Sequence, residues 1–363
     1  MRVLLIGEFS GLHSGLAEGL RKLGHTVDVV STGDDFKKID GTLNIDTRAG
    51  NAVLRLLKLH LGYVKLLPKF RRYDVVQFIS IAPHVIPTGI FAILLMRYLR
   101  SCNRRIFLNS CGLDFYTAAS QLGNTYSPLG NELLEGDFRA TQKQLSVTSK
   151  WVADRLLPSF DGIVSSGYEY HQAYKKRDNY LGFIPMPVSM SAAAIGSNVP
   201  DAAQVNEAVK IKILHGIIRP TFKGSSYIVE AMKRLQMELP ELVDCRLVEK
   251  LPYSEYLDHL DWCDILIDQA CSFGYGMNGL LGLARAKVVL SGNEPEAELL
   301  LGRVCPVINI RPKSEAILES IRKLVESDEL KTIGRASKLF AEDVHECQRV
   351  AGLYIDAWLK ASE

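Results

Sequence analysis

The sequence predicts an α/β protein made of two doubly wound, Rossmann-like domains facing each other across a cleft. Three observations predict it. The chain has 363 residues, more than one hydrophobic core ordinarily serves. Short unbroken apolar runs alternate with helix-patterned segments, the grammar of parallel strands covered on both faces. Near the middle this alternation lapses and then starts again.

In the first half, residues 2–8 are a continuous apolar strand and 14–23 a helix stopped at Gly24. Residues 26–31 read as a second strand, 52–67 as a helix and 74–79 as a strand. A helix over 86–99 and a strand over 105–110 follow, with last strands at 161–166 and 181–185. Residues 186–209 are rich in Ser, Ala, Gly and Asn and have no period, as a linker would. The second half begins with a strand at 211–215, a helix at 226–239 and a strand at 245–251. Helix 253–262, strand 265–269, helix 279–286, strand 288–291, helix 296–301 and strand 307–310 complete it, and helical sequence continues to 359. The expected domains are 1–189, a linker at 190–209, and 210–339, followed by a C-terminal helix, 340–363.

Composition narrows the class. With 47% hydrophobic and 23% charged residues the chain is globular rather than disordered. Its seven cysteines show no Cys-x-x-Cys pair, so they read as reduced thiols rather than metal ligands. The apolar run 85–95 falls short of the roughly 20 residues that span a bilayer. The first residues have strand character and lack the features of a secretion signal, so a cytoplasmic location is expected. The net charge of +2 hides an asymmetry: residues 1–180 hold 23 Lys/Arg against 16 Asp/Glu. That excess is either a solvated face or a surface for an anionic partner, a phosphate-bearing acceptor or a membrane. Residues 54–72 interleave leucines with Arg55, Lys58, Lys65, Lys69, Arg71 and Arg72. They read either as a core-packed amphipathic helix or as one lying on an anionic membrane. No readout motif accompanies the basic residues, and no nucleic-acid partner is expected.

Two loops carry candidate chemistry. The segment after the strand at 211–215 runs from His215 to Gly224 and contains Arg219 and Lys223. A guanidinium fork beside an ammonium suits a diphosphate leaving group, though two cations on a loop are also common on solvated surfaces. After the strand at 265–269, Gly274, Gly276 and Gly279 surround Tyr275, Met277 and Asn278 at the start of a helix. Backbone N–H groups there approach an anion readily, and the helix dipole favours it. Glycines in a tight strand–helix turn are the plainer alternative. Both loops leave carboxyl ends of strands, where doubly wound sheets bind ligands.

In these residues the second half resembles the family-4-like, or "group 1", retaining glycosyltransferases of GT-B architecture. Gly216, Arg219 and Lys223-Gly224 are similar to that family's Gly…Arg…Lys-Gly pattern, and Phe273-Gly274-Tyr275-Gly276 to its Glu-Gly-Phe-Gly turn. Residues 288–296, ending Asn293-Glu294-Pro295-Glu296, resemble its closing strand with Pro-Glu. In the first half, Cys111-Gly112-Leu113-Asp114 resembles its His-Gly-x-Asp turn without the histidine. Phe273 and Leu281 stand where the family has the glutamates of its Glu-x7-Glu signature.

The resemblance implies a metal-independent, retaining hexosyltransferase that needs no cofactor. Its donor would be a nucleoside-diphosphate sugar, held by domain 210–339, and its acceptor a polysaccharide or lipid-linked saccharide, held by domain 1–189, on which the tail helix 340–363 would pack back. The diphosphate would be held by Arg219, Lys223, Gly276, Met277 and Asn278, and the sugar or nucleoside by Tyr275 and Glu296. His13 and Asp114 are the candidate catalytic residues of the first domain. Asp114 is equally read as a helix N-cap, Glu296 as a dipole partner in a helix's first turn, Tyr275 as a core aromatic, and His13, in the loop after the first strand, as an exposed histidine without a function. Loss of both motif glutamates also suits an inactive nucleotide-sugar-binding partner subunit, and an epimerase of the same fold is a further alternative.

Overall fold

The computed structural model describes residues 1–47, 51–83, 85–136, 139–190 and 210–361. Contacts divide the chain into two units: residues 1–123, 138–187 and 346–363 form the first, and 124–137 with 188–345 the second.

The first unit is built on seven strands: β1 (Arg2–Ile6), β2 (Thr26–Ser31), β3 (Leu43–Asn44), β4 (Val75–Phe78), β5 (Arg105–Ser110), β6 (Gly162–Ser165) and β7 (Tyr180–Phe183). They form one parallel sheet in the order β3-β2-β1-β4-β5-β6-β7. Val3 to Ile6 are fully buried, as unbroken apolar runs covered on both faces must be. Its helices begin with α1 (Leu12–Lys22), α2 (Ala52–Leu66), α3 (Ile90–Cys102) and α4 (Phe115–Gln121). Pro87 and Gly89, the latter at φ 59°, delay α3 from the expected residue 86 to Ile90.

The second unit's sheet joins β8 (Ile211–Ile217), β9 (Val243–Glu249), β10 (Ile265–Ile267), β11 (Val288–Ser291) and β12 (Ile308–Asn309), all parallel, in the order β12-β11-β10-β8-β9. One helix of this unit comes from the first half of the sequence: α5 (Pro128–Leu134). Three more helices belong to the first unit, α6 (Arg139–Gln144), α7 (Val147–Leu156) and α8 (Tyr168–Tyr174). The second unit then adds α9 (Pro220–Lys223), α10 (Ser225–Glu238), α11 (Tyr253–Trp262), α12 (Met277–Ala284), α13 (Pro295–Leu301), α14 (Ser314–Val325) and α15 (Leu330–His345).

The helical tail is divided. After α15, α16 (Cys347–Lys360) begins anew with Glu346 capping it through Arg349 N at 2.9 Å. In the first unit α16 lies so close to α1 that a Cβ on Gly19 would stand 2.0 Å from Cys347 O. Trp358 Nε1 donates to Gln77 Oε1 at 3.0 Å, and Arg105 donates to Trp358 O at 2.6 Å. Residues 191–209 of the expected linker lie outside the described residues.

Strand order locates one crevice in each sheet. Connections reverse between β1 and β4 in the first unit and between β8 and β10 in the second. The loops leaving the carboxyl ends of those strands are where doubly wound sheets hold ligands.

Candidate functional site

In the second unit, the loop after β8 carries Arg219 and α9, and the loop after β10 leads into α12. Lys223 Nζ lies 2.8 Å from Asp268 Oδ1, and Asp268 is 1% exposed at the end of β10. Asp268 Oδ2 accepts from Gly276 N at 3.2 Å, and Oδ1 accepts from Asn278 Nδ2 at 2.9 Å. Asn278 is fixed in turn by the Tyr256 hydroxyl, which donates to its Oδ1. Burial alone would raise the Asp268 carboxyl; the charge of Lys223 and the surrounding donors hold it below the ordinary value instead.

These loops therefore do converge on one rim, and an internal carboxylate already stands among them. Arg219 remains exposed, its guanidinium 4.5 Å from the Phe222 ring centroid, on a left-handed backbone at φ 52°. No side chain caps α12, so the N–H groups of Met277 and Asn278 face out of the helix start. Gly224 fits this corner because its φ is +70° and a Cβ would stand 2.6 Å from Cys271 Sγ.

Tyr275 is buried, with its hydroxyl 2.7 Å from His345 Nε2, and ties the start of α12 to α15. Glu296 is exposed in the first turn of α13. Its neighbour Glu294 is the carboxylate built into the rim. Arg311 grips it with two bonds of 2.8 and 2.6 Å, Asn309 donates at 2.9 Å, and the Tyr126 hydroxyl donates as well. Arg311 first, then Tyr126 and Asn309, outweigh burial and hold Glu294 at about 2.

Tyr126 also stacks on Phe273, ring centroids 5.0 Å apart, and Asn131 of α5 donates to Thr221 O. Phe273 is thus covered by an aromatic ring, and Leu281 is 7% exposed on α12. Asp268, Glu294, Tyr126 and Asn131 were not among the expected site residues. Asp268 and Glu294 sit at strand ends, a signal that was available; nothing local marks Tyr126 or Asn131 as belonging to this unit.

The first unit opens a separate cleft of about 810 Å³ at the β1–β4 crevice, lined by residues including Glu8, Phe9, Asp34, Asp35, Arg55, Ile81, Asp114, Phe115 and Lys143. Asp114 caps α4 through Thr117 N at 2.9 Å, accepts from the Tyr174 hydroxyl at 2.6 Å, and still lines the cleft. Burial raises its carboxyl against those donors. Glu8, absent from the expected set, accepts from Gly11 N, Ser14 N and Ser14 Oγ at 2.9, 2.7 and 2.6 Å. Burial pushes Glu8 up too, and Asp34 adds to it. Ser10, Asp34 and Asp35 around this rim all hold left-handed backbone without being glycine.

His13 lies inside α1 rather than in a loop. It is fully buried, with Nδ1 2.7 Å from Gly7 O, and burial lowers it to about 3, so it is neutral. Its structural role is to close the β1–α1 turn.

No protein-family model and no curated protein matches the chain. Solved structures do, over its whole length. A glycosyltransferase from Rickettsia africae is 15% identical with a TM-score of 0.57, covering 100% of this chain and 98% of its own. Anabaena Alr3699/HepE, solved with UDP and glucose, is 11% identical with a TM-score of 0.58 (99% and 100% covered). UDP-GlcNAc 2-epimerase from Neisseria meningitidis, bound to UDP-GlcNAc, is 12% identical with a TM-score of 0.55 (99% and 100% covered). The chain has their fold. The two parallel α/β sheets are those of the GT-B class expected from the sequence.

Proposed function

We propose that the protein is a glycosyltransferase taking its sugar from a nucleoside-diphosphate donor. One observation carries this reading: Lys223 and the N-terminus of α12 meet around Asp268 at the β8–β10 crevice, and Arg219 is exposed on the same loop as Lys223. A glycosyltransferase and complexes with UDP-glucose and UDP-GlcNAc among the proteins of like fold support it. The diphosphate would meet Arg219 and the N–H groups of Met277 and Asn278, with Lys223 reaching it from its ion pair with Asp268. As the bond between the sugar's anomeric carbon and the diphosphate oxygen breaks, that oxygen keeps the electron pair. These donors stabilise the charge without a metal. The acceptor, a polysaccharide or lipid-linked saccharide, would enter the first unit's cleft. In the transfer step its hydroxyl bonds to the anomeric carbon, and its proton passes to a carboxylate. Asp114 or Glu8 suits that step, since a raised carboxyl is the better base near neutral pH.

A second reading has its own support. Asp268 holds an anion's place beside Lys223 and Gly276, and Phe273 and Leu281 offer no acceptor for sugar hydroxyls. Such a rim suits a partner subunit that binds a nucleotide sugar without transferring it.

Thermal-shift screening against UDP-, GDP-, dTDP- and CMP-sugars, followed by nucleotide release with and without saccharide acceptors, separates the two. Release that depends on an acceptor supports transfer. Stabilisation without turnover under any acceptor favours the binding subunit. If no nucleotide sugar stabilises the protein, the donor-site reading fails.

A further inference from the structure

Helices α2 and α3 of the first unit carry a surface that its core does not use. Only Leu59 and Tyr63 of α2 are buried. Val53, Leu54, Leu57, Leu61 and Val64 are 76, 42, 53, 49 and 58% exposed, and their spacing sets them along one stripe of the helix. Beside it, Ile90, Phe91 and Leu94 of α3 are 54, 55 and 49% exposed. The two helices touch, the His60 and Phe91 rings meeting edge-on at 4.9 Å, and just past α2 Leu67 O accepts from the Tyr98 hydroxyl at 2.7 Å. Eight exposed apolar side chains thus stand on two helices in contact, and exposed apolar side chains grouped in this way mark an interaction site.

Charge identifies what it meets. Between Asn51 and Arg104 the chain has nine Lys/Arg and a single acidic residue, Asp74. Lys58 and Lys65 flank the α2 stripe and Arg97 continues that of α3. None of the three makes an ion pair among the described residues. Apolar side chains rimmed by unpaired cations fit the interface of an anionic bilayer, acyl chains under the leucines and headgroup phosphates at the lysines. A second copy of this chain would instead bring the same cations against one another.

We infer that α2 and α3 dock the protein on an anionic lipid surface. The face also borders the first unit's cleft, since Val53 and Leu56 of α2 and Thr88 and Gly89 before α3 line it. A lipid-linked saccharide anchored in the bilayer would therefore present its head at the cleft mouth. That second step rests on the transferase reading; the docking itself does not.

Co-sedimentation of the full chain with phosphatidylcholine vesicles, with and without phosphatidylglycerol, tests the docking without donor or acceptor, so it can fail while the transferase reading stands. Binding is expected to the anionic vesicles only, and to weaken with salt. Leu57→Glu/Leu61→Glu should lower the partition coefficient more than tenfold. Each of Lys58→Ala and Lys65→Ala should lower it about fivefold. Leu57→Trp, an addition at an exposed site, should show blue-shifted fluorescence on anionic vesicles. Failure of the wild-type chain to bind them overturns the inference. So does undiminished binding by a folded Leu57→Glu/Leu61→Glu variant, or a concentration-dependent dimer that buries the Leu57→Trp indole without lipid.

Discussion

The two strand rims answer the same problem differently. Each sheet feeds a helix whose start, in doubly wound proteins, attracts an anion. In each unit a carboxylate of the chain itself lies there, Glu8 at α1 and Asp268 at α12. Asp268 has Lys223 at 2.8 Å and is held ionised, whereas Glu8 has only uncharged donors and is raised by burial, with Asp34 near it. Around the first rim Asp34, Asp35 and Asp114 join Glu8, beside Arg55, Lys143 and apolar side chains. The second is cationic beyond its own ion pair, with Arg219 exposed. At the same fold position one buried carboxylate has a lysine bonded to it and the other has only uncharged donors.

The sharpest way to break this contrast is to remove that lysine. Lys223→Met leaves Asp268 buried without its cation and should cost about 3–5 kcal/mol in urea unfolding of the full chain. Adding Asp268→Asn should return most of the loss; a single variant as stable as wild type would show that the pair does not organise the rim. Next in size is Glu294→Gln. The Glu294 carboxyl sits at about 2 when folded against 4.5 ordinarily, so the folded state binds its proton less tightly. Its contribution is full above 4.5 and is lost as pH falls towards 2. The variant should be less stable at neutral pH by about 1–2 kcal/mol, since Arg311 is largely exposed and screened, and the gap should close in acid. A gap that does not change with pH would assign the loss to packing.

Glu8→Gln examines the opposite sign. The Glu8 carboxyl is raised when folded, so the folded state holds its proton more tightly and stability declines as pH climbs from below 4.5 through the raised value. The variant should flatten that part of the pH–stability profile with a change of about 1 kcal/mol. A steeper profile would contradict the contrast between the rims. Smallest for stability and largest for ligand is Arg219→Ala. An exposed residue should alter unfolding by no more than about 0.5 kcal/mol. Any nucleotide-sugar affinity should fall by about tenfold or more, as loss of a charge-assisted contact implies. Unchanged affinity would remove Arg219 from the donor site.

Much of the fold was legible from residue order alone. Buried parallel strands are written as unbroken apolar runs, and the limits of α11 and β11 coincide with the segments expected at 253–262 and 288–291. The helices between 115 and 156 were not legible. They are six to ten residues long, too short for a clear period. In the site, the sequence alone picked out Arg219, Lys223 and the Gly274–Gly276 turn, because cations and glycines after apolar runs are local features.

What those residues face was decided only by tertiary structure. Lys223 and Asp268 are 45 positions apart and meet because β8 and β10 are neighbours in the sheet. Tyr126 and Glu294 are 168 apart and meet because residues 124–137 fold with the second unit. The burial of His13 and Tyr275 and the capping bond of Asp114 likewise come from packing. Periodicity records which face of an element is apolar, whereas the partner of a buried charge depends on which loops the sheet order brings side by side.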